Sequence, residues 1–230
     1  MQTSIVYYTD NSLQEPLASF CREKLLEAAD GKPIVCVSQK PLDFGLNICI
    51  GEIGRSHLSI FRQVLAGLEQ VKTKYVALAE HDCLYTKEHF NWIPPEDGKF
   101  YYNVNCWFVR PKDGMYSYFR RKVLSMMIAN TGLTLEATKE KVEILKSGII
   151  IRKGQLGACE YGVCENKKAY VDYKASMKDL GKDVGSYKAV SFRTELPNVD
   201  IRHGGNFSGN RKANNRCYEL PHWGKWKEEL

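Results

Sequence analysis

Lys74-Tyr75-Val76-Ala77-Leu78-Ala79-Glu80-His81-Asp82-Cys83-Leu84-Tyr85 is a short apolar run that stops abruptly in three polar residues. Continuous apolar character over this length predicts a central strand of a largely parallel sheet, covered on both faces. In such sheets ligands bind outside the carboxyl ends of the strands, where Glu80-His81-Asp82 falls. Two acids at a strand end, two residues apart, can face one cation, and hard oxygen ligands suit Mg²⁺ or Mn²⁺. A solvated strand end with ordinary surface charges is the plain alternative, so the surrounding chain has to decide.

Upstream, Ser4 to Tyr8 reads as a first strand and Thr9-Asp10-Asn11-Ser12 as the polar loop leaving it. A helix is expected from about Leu13 to Ala29, with Leu17, Phe20, Cys21, Leu25 and Ala28 near helical spacing and Asn11 or Ser12 as its cap. Asp30-Gly31-Lys32-Pro33 ends it, and Ile34 to Ser38 is the second strand, which makes a βαβ unit with a parallel pair. Leu46 to Ile50 is a third strand. Gly51 to Ser56 forms a loop before a helix from about His57 to Val71, with Leu58, Phe61, Leu65 and Leu68 on one face. Downstream come a short helix over Lys87 to Trp92, a turn at Pro94 to Gly98, and a strand over Phe100 to Val109. Tyr116 to Asn130 and Thr134 to Lys146 read as helices. Gly154 to Gly162 is a small-residue loop and Lys178 to Lys188 a charged connection. Ala189 to Arg193 and Val199 to Arg202 read as short strands.

At 230 residues the chain has room for one sizeable α/β domain. No run approaches the roughly 18 apolar residues that span a bilayer, and the first residues lack a secretory signal pattern. The eight cysteines are scattered, four residues separate Cys159 from Cys164, and nothing gives zinc-ribbon spacing. A reduced, cytoplasmic setting and no membrane association are the expectations. The net charge of +6 favours an anionic partner without naming one.

Three polar clusters fall at strand ends: Tyr8-Thr9-Asp10, Glu80-His81-Asp82 and Arg202-His203-Gly204-Gly205. Parallel strands put the first two on one rim, and His203 can approach from the C-terminal part. A histidine joining a carboxylate fits Mn²⁺ better than Mg²⁺. Arg211 or Lys212 can neutralise phosphate. For Asp10 the alternative is a turn or capping acid, and for His203-Gly204-Gly205 a simple turn.

Taken together, these residues resemble the GT-A type of nucleotide-sugar glycosyltransferase, with a first half similar to the family 2 pattern. The resemblance is carried by Ile5 to Asp10, by Gly54-Arg55-Ser56, and by Tyr75 to Asp82 in the place of the family's Asp-x-Asp motif. It covers roughly residues 4 to 110, with His203 where many such enzymes add a metal ligand. It implies one domain over 1–230, with a nucleotide-sugar half (1–110) and an acceptor-side half (111–230). Its fold is a mixed, mainly parallel sheet flanked by helices. It further implies a Mn²⁺ or Mg²⁺ ion on Asp82 and His203 and a UDP-sugar donor. Tyr8, Thr9, Asp10, Arg55, Glu80, His81 and Arg211 would hold that donor, Tyr8 by stacking. Glu160, or in a different geometry Asp10, would be the general base of an inverting transfer. The sequence departs from the pattern in carrying Glu80 for the first aspartate and in offering only Glu160 where an acidic pair is usual.

The tail His203-Gly204-Gly205-Asn206-Phe207-Ser208-Gly209 is similar to glycosyltransferases of phages and related viral gene sets, including TET-associated enzymes that modify hydroxymethylated cytosine. The basic runs Arg110 to Lys122 and Arg202 to Arg216, interleaved with Tyr116, Tyr118, Phe119 and Phe207, suit a DNA acceptor. A glycan or other small acceptor, a non-catalytic binding domain on the same fold, and a nucleotidyltransferase are the alternatives.

Overall fold

The computed structural model describes residues 2–118, 121–146, 160–163, 188–204 and 215–226. Its framework begins as β1 (Thr3–Thr9), α1 (Leu17–Ala29), β2 (Ile34–Ser38), β3 (Leu46–Cys49), α2 (His57–Leu68) and β4 (Tyr75–Glu80). β1 pairs in parallel with β2 on one side and β4 on the other, and β2 with β3. The chain therefore winds outward through β2 and β3, then returns to the far side of β1. This reversal of strand order leaves a crevice at the carboxyl ends of β1 and β4.

Both faces of these strands are covered, which is why the stretch around β4 is apolar without alternation. Val6, Tyr8, Val76 and Leu78 face α2 and α4 (Thr131–Lys146), whereas Ile5, Tyr7, Ala77 and Ala79 face α1 and α3 (Lys87–Asn91). The period of two survives as a difference between two cores rather than between core and water. α2 lies close on the sheet because Gly67 has no side chain: a Cβ there would sit 2.5 Å from Val6 Cγ1. Ser56 caps α2 by accepting the Ser59 N–H at 3.0 Å.

Four further strands extend or back this frame: β5 (Cys83–Leu84), β6 (Lys99–Asn103), β7 (Cys106–Arg110) and β8 (Met115–Tyr118). β9 (Met127–Asn130), β10 (Lys188–Phe192), β11 (Asn198–Ile201) and β12 (Asn215–Cys217) follow. Among the described residues the main sheet runs β10-β6-β9-β4-β1-β2-β3, with β9 the one strand reversed against its neighbours β4 and β6. A second sheet runs β12-β8-β7-β11-β5. The fold class is thus mixed α/β with a mainly parallel central sheet flanked by helices. No described helix is long and apolar enough to cross a membrane.

Several expectations need correction. Tyr116 to Asn130 is no helix. It contains β8, a single 3-10 turn and β9, whose Met127, Ile128 and Ala129 are fully buried between β4 and β6. A four-residue apolar run carries no period that separates strand from helix, and only the open place in the sheet decided it. The strand expected over Phe100 to Val109 divides into β6 and β7, which enter different sheets where Asn105 Nδ2 donates to the Thr194 and Glu195 carbonyls. α1 starts at Leu17, after Pro16, rather than at Leu13 behind an Asn11 or Ser12 cap. Asn11 takes a positive φ of 59° and spends its side chain on the Gln39 and Lys40 N–H groups instead. The Gly154 to Gly162 loop (all but its last three residues), the Lys178 to Lys188 connection (all but Lys188), Phe119, Phe207 and Arg211 lie outside the described residues. Of the cysteines, Cys21, Cys36, Cys83 and Cys106 are free and buried as small hydrophobes.

One buried group makes the fold sensitive to pH. His89 is fully buried between Tyr85, Phe90 and Phe192, its Nε2 has no hydrogen-bond partner, and burial pushes its pKa down to about 3. The unfolded chain binds this proton near pH 6.5 and the folded chain does not. The His89 contribution is therefore complete above pH 6.5 and falls as pH drops toward 3, by about 1.4 kcal/mol per pH unit. Denaturant titrations between pH 7 and 5 should show that slope, and a His89→Phe chain should lack it. Equal slopes would mean that His89 is protonated in the native state.

Candidate functional site

The crevice is built by short-range rules acting on four separate loops. At the end of β1, Thr9 and Asp10 turn outward, and the Ser12 N–H closes on Asp10 Oδ1 at 3.0 Å. The Thr9 carbonyl accepts Gln63 Nε2 from α2 at 2.5 Å, which ties this strand end to the helix. Gln39, buried after β2, donates to the Gly54 carbonyl at 2.7 Å and accepts the Ile53 N–H at 3.1 Å. That grip orders the loop before α2 and sets Arg55, which forms an ion pair with Asp10.

At the end of β4, Glu80, His81 and Asp82 turn into β5. Tyr85 fixes this turn from beneath: its hydroxyl accepts the Glu80 N–H at 3.0 Å and donates to the Ser125 carbonyl at 3.1 Å. The Asp82 carbonyl accepts the Ile201 N–H at 2.8 Å, which joins the turn to the end of β11 and brings His203 across. His203 Nε2 then lies 3.1 Å from Asp82 Oδ2, over 121 residues of sequence separation. His81 completes the group: its ring lies 5.7 Å from that of His203, and its Nδ1 is 2.9 Å from Thr9 Oγ1 and 3.7 Å from Asp10 Oδ1.

One donor atom from each of His81, Asp82 and His203 falls within 4.8 Å of the others. Two imidazoles and a carboxylate suit a divalent transition ion such as Mn²⁺ better than Mg²⁺. A histidine whose second nitrogen is held by a hydroxyl or carboxylate, as His81 is by Thr9 and Asp10, has the orientation that metal ligands show. Glu80, Asp82 and Cys83 form a second group of the same compactness. It is the poorer one, because burial pushes the Cys83 thiol well up and the thiolate is the ligand form. The residues present therefore fit a divalent ion, and the histidines decide which group.

Charge in the crevice is unevenly distributed. Burial and the neighbouring Asp82 push the Glu80 carboxyl up, and the charge of Glu160 adds to the push while the Tyr8 hydrogen bond opposes it. Asp82 goes the other way: against its burial, the His203 hydrogen bond and the two imidazoles hold it low. Asp200, buried on β11, is raised by that burial and by Asp82. Burial lowers His81 in spite of Asp82 and Asp10. An ionised Asp82 beside a neutral imidazole is the state that takes up a divalent cation.

The structure gathers Thr9, Asp10, Arg55, Glu80, His81, Asp82 and His203 on one rim, with Glu160 near enough for its charge to act on Glu80. Tyr8 is corrected: its ring is 4% exposed within the α2-side core and its hydroxyl donates to Glu80 at 2.5 Å, so it offers no stacking face. Tyr116, which the sequence offered either as core or as a DNA-stacking aromatic, is core, and Arg110 is paired with Asp113. Gln39, Gln63, Tyr85 and Asp200 were not anticipated, and Arg202 stood only in a polar cluster and a basic run. For Gln63 the sequence held a signal, a polar residue on the apolar face of a helix, whereas Tyr85 reads as one more aromatic. A cavity of about 800 Å³ between α1 and the Trp223–Trp226 segment is lined in part by Tyr85 but by none of the rim residues from Thr9 to His203 named above.

No family model matches the sequence, and no curated protein matches it either. Solved structures are similar at low identity. One is a glycosyltransferase involved in the glycosylation of the major capsid of PBCV-1, with 11% identity and a TM-score of 0.46 over 87% of this chain and 92% of that one. A second is the mannosyltransferase PcManGT from Pyrobaculum calidifontis in complex with GDP-Man and Mn²⁺, with 12% identity and a TM-score of 0.43 over 87% of this chain and 56% of that one. A third is the bifunctional IspDF from Campylobacter jejuni, with 9% identity and a TM-score of 0.40 over 85% of this chain and 50% of that one. Likeness this distant does not decide a reaction, and the side chains of the crevice have to.

Proposed function

We propose that the chain is a metal-dependent glycosyltransferase of the GT-A type that moves a sugar from a nucleotide-sugar to a hydroxyl acceptor. The observation that carries this reading is the convergence of His81, Asp82 and His203 at the strand-order reversal, beside the Asp10–Arg55 pair. Asp82 and His203, with His81 as third ligand, would hold a divalent ion there, which when bound would neutralise charge on a diphosphate leaving group. In this reading Thr9 and Asp10 would hold the base or ribose of the nucleotide, and Arg55, paired with Asp10, would meet its edge or its phosphates. Glu80, pinned between the Tyr8 and Tyr85 hydroxyls, supports the turn rather than the ion.

Glu160 is the proposed general base, taking the acceptor's proton as its oxygen attacks the sugar from the face opposite the leaving group, which is the inverting outcome. Glu160→Gln should lower turnover by about 10²- to 10⁴-fold and leave donor affinity intact, measured as nucleotide release and calorimetric donor binding. Turnover at the original rate would exclude it from the chemistry.

Hydroxymethylated cytosine in DNA is the acceptor proposed from the sequence, with a glycan or other small hydroxyl compound as the second reading. With Tyr116 in the core and Arg110 paired, the basic-aromatic run lends DNA less support than its composition suggested. The deciding experiment follows nucleotide release from UDP- and GDP-sugars with Mn²⁺, with and without hydroxymethylcytosine DNA or glycan acceptors. Release that requires one donor and the ion supports the transferase, and dependence on DNA or glycan names the acceptor. Silence across the panel, with no thermal shift by any donor, would overturn the reading in favour of a binding domain.

A further inference from the structure

We propose that the cavity between α1 and the Trp223–Trp226 segment is a second binding site, outside the crevice, and that its ligand is a neutral carbohydrate. The proposal does not rest on the transferase reading. The volume of about 800 Å³ falls within the range of roughly 300–1,000 Å³ usual for ligand cavities, and no proposed ion ligand lines it.

Its walls are flat and held in place. Phe20 on α1, Tyr116 on β8 and the half-buried indoles of Trp223 and Trp226 line it. The chain reverses between Leu220 and Gly224, which exchange backbone hydrogen bonds of 3.0 and 2.8 Å. This reversal sets His222 at a φ of 72°, which side chains other than glycine seldom take. Backbone strain of this kind persists where the surrounding structure enforces it, and it gathers at ligand sites. Here the reversal delivers Trp223, whose indole N–H donates to the Pro197 carbonyl at 2.7 Å. With that donor spent, the indole offers the cavity only its apolar surface. Trp226 lies over the turn between β7 and β8, its Cβ 3.6 Å from where a side chain on Gly114 would begin. Rings fixed in advance lose little freedom when a ligand packs on them.

The charges around these rings decide the chemistry of the ligand. Lys24 is bonded to Glu27 at 2.8 Å, both on the wall, and Lys87 to Asp30 just outside it at 2.8 Å. Lys225 and Glu88 also line the cavity, Glu88 accepting the Leu196 N–H at 3.0 Å. Three lysines thus stand against three carboxylates, which leaves no net charge to draw in a phosphate or another anion. An acyl chain fits no better, because it would strip water from these charged groups and give them no partner. A sugar ring suits both halves of the wall. The C–H bonds on its face pack against aromatic rings, and each hydroxyl on its rim both donates and accepts. Ammonium and carboxylate groups side by side meet those hydroxyls with an acceptor and a donor at once.

Titration of the intact chain with maltotriose, cellotriose, chitotriose and mannotriose, without metal or nucleotide, tests this by tryptophan fluorescence and calorimetry. At least one trisaccharide should bind with a Kd below about 1 mM, and inorganic phosphate, UMP and decyl sulfate should bind more weakly than it does. Trp223→Leu removes a flat wall, and Leu196→Trp fills the cavity without removing any aromatic. Each should weaken the trisaccharide by about tenfold or more, and if one variant fails to fold the other still carries the test. Asp82→Asn should bind the trisaccharide as the unaltered chain does. The inference is overturned if no trisaccharide binds at about 10 mM, or if phosphate, UMP or decyl sulfate binds more tightly. Binding that survives both cavity variants also overturns it, and so does binding lost in Asp82→Asn, which would put the sugar in the crevice. None of these outcomes depends on nucleotide release, so the transferase reading and this one fail separately.

Discussion

Asp82→Asn is expected to reduce metal-dependent nucleotide release by about 10³-fold with only a modest loss of stability. The amide keeps the shape of the carboxylate and its oxygen toward His203, which stands 3.1 Å from Oδ2. What it loses is the charge that draws a divalent ion into a pair of imidazoles. Without an ion that charge is answered by the His203 hydrogen bond and the two imidazoles, which hold the carboxyl low against its burial and the repulsion of Glu80 and Asp200. Removing it therefore costs the folded chain part of that pairing, a small loss beside the loss of ion binding. Mn²⁺ binding by calorimetry and urea denaturation without metal read the two effects separately. Retained Mn²⁺ affinity would shift the ion site to another group, and a large loss of stability would make Asp82 a structural residue.

Tyr85→Phe is expected to be the most damaging single-atom change to the fold near the crevice. The hydroxyl is enclosed, with the side chain 1% exposed, and serves the Glu80 N–H and the Ser125 carbonyl at once. Its removal leaves two buried polar groups without partners, at about 1–3 kcal/mol for each. The backbone it releases is that of Glu80, one residue before His81. Mn²⁺ affinity should fall together with stability, although Tyr85 touches no proposed ligand. A denaturant midpoint within error of the original chain would mean that water replaces the hydroxyl. Lost stability with intact Mn²⁺ affinity would mean that the turn holds its shape without it.

Much of this architecture was legible because its signals are local. The strand–helix–strand opening, the second long helix, and the burial of Tyr75 to Ala79 all follow from apolar runs bounded by polar or glycine residues. Cap chemistry was uneven. Ser56 caps its helix, but Asn11 was drawn to the backbone of a loop 28 residues away, a partner that no local rule offers. The region from Tyr116 to Asn130 was misread for the opposite reason. Its residues are compatible with helix, and the gap between β4 and β6 imposed strand.

The sequence by itself determined the order of elements from β1 to β4 and the polar character of the strand ends, since period and punctuation depend on neighbouring residues alone. Tertiary structure decided which polar residues meet. Asp82 and His203 are 121 residues apart, Tyr8 and Glu80 72, and no pattern in the chain tells a histidine that closes on a carboxylate from one that ends a turn. It also decided which aromatic is a surface and which is a wall, because exposure is a property of what packs against a residue. Tyr8 went into the core by that rule, and Arg202 onto the ring of Phe108.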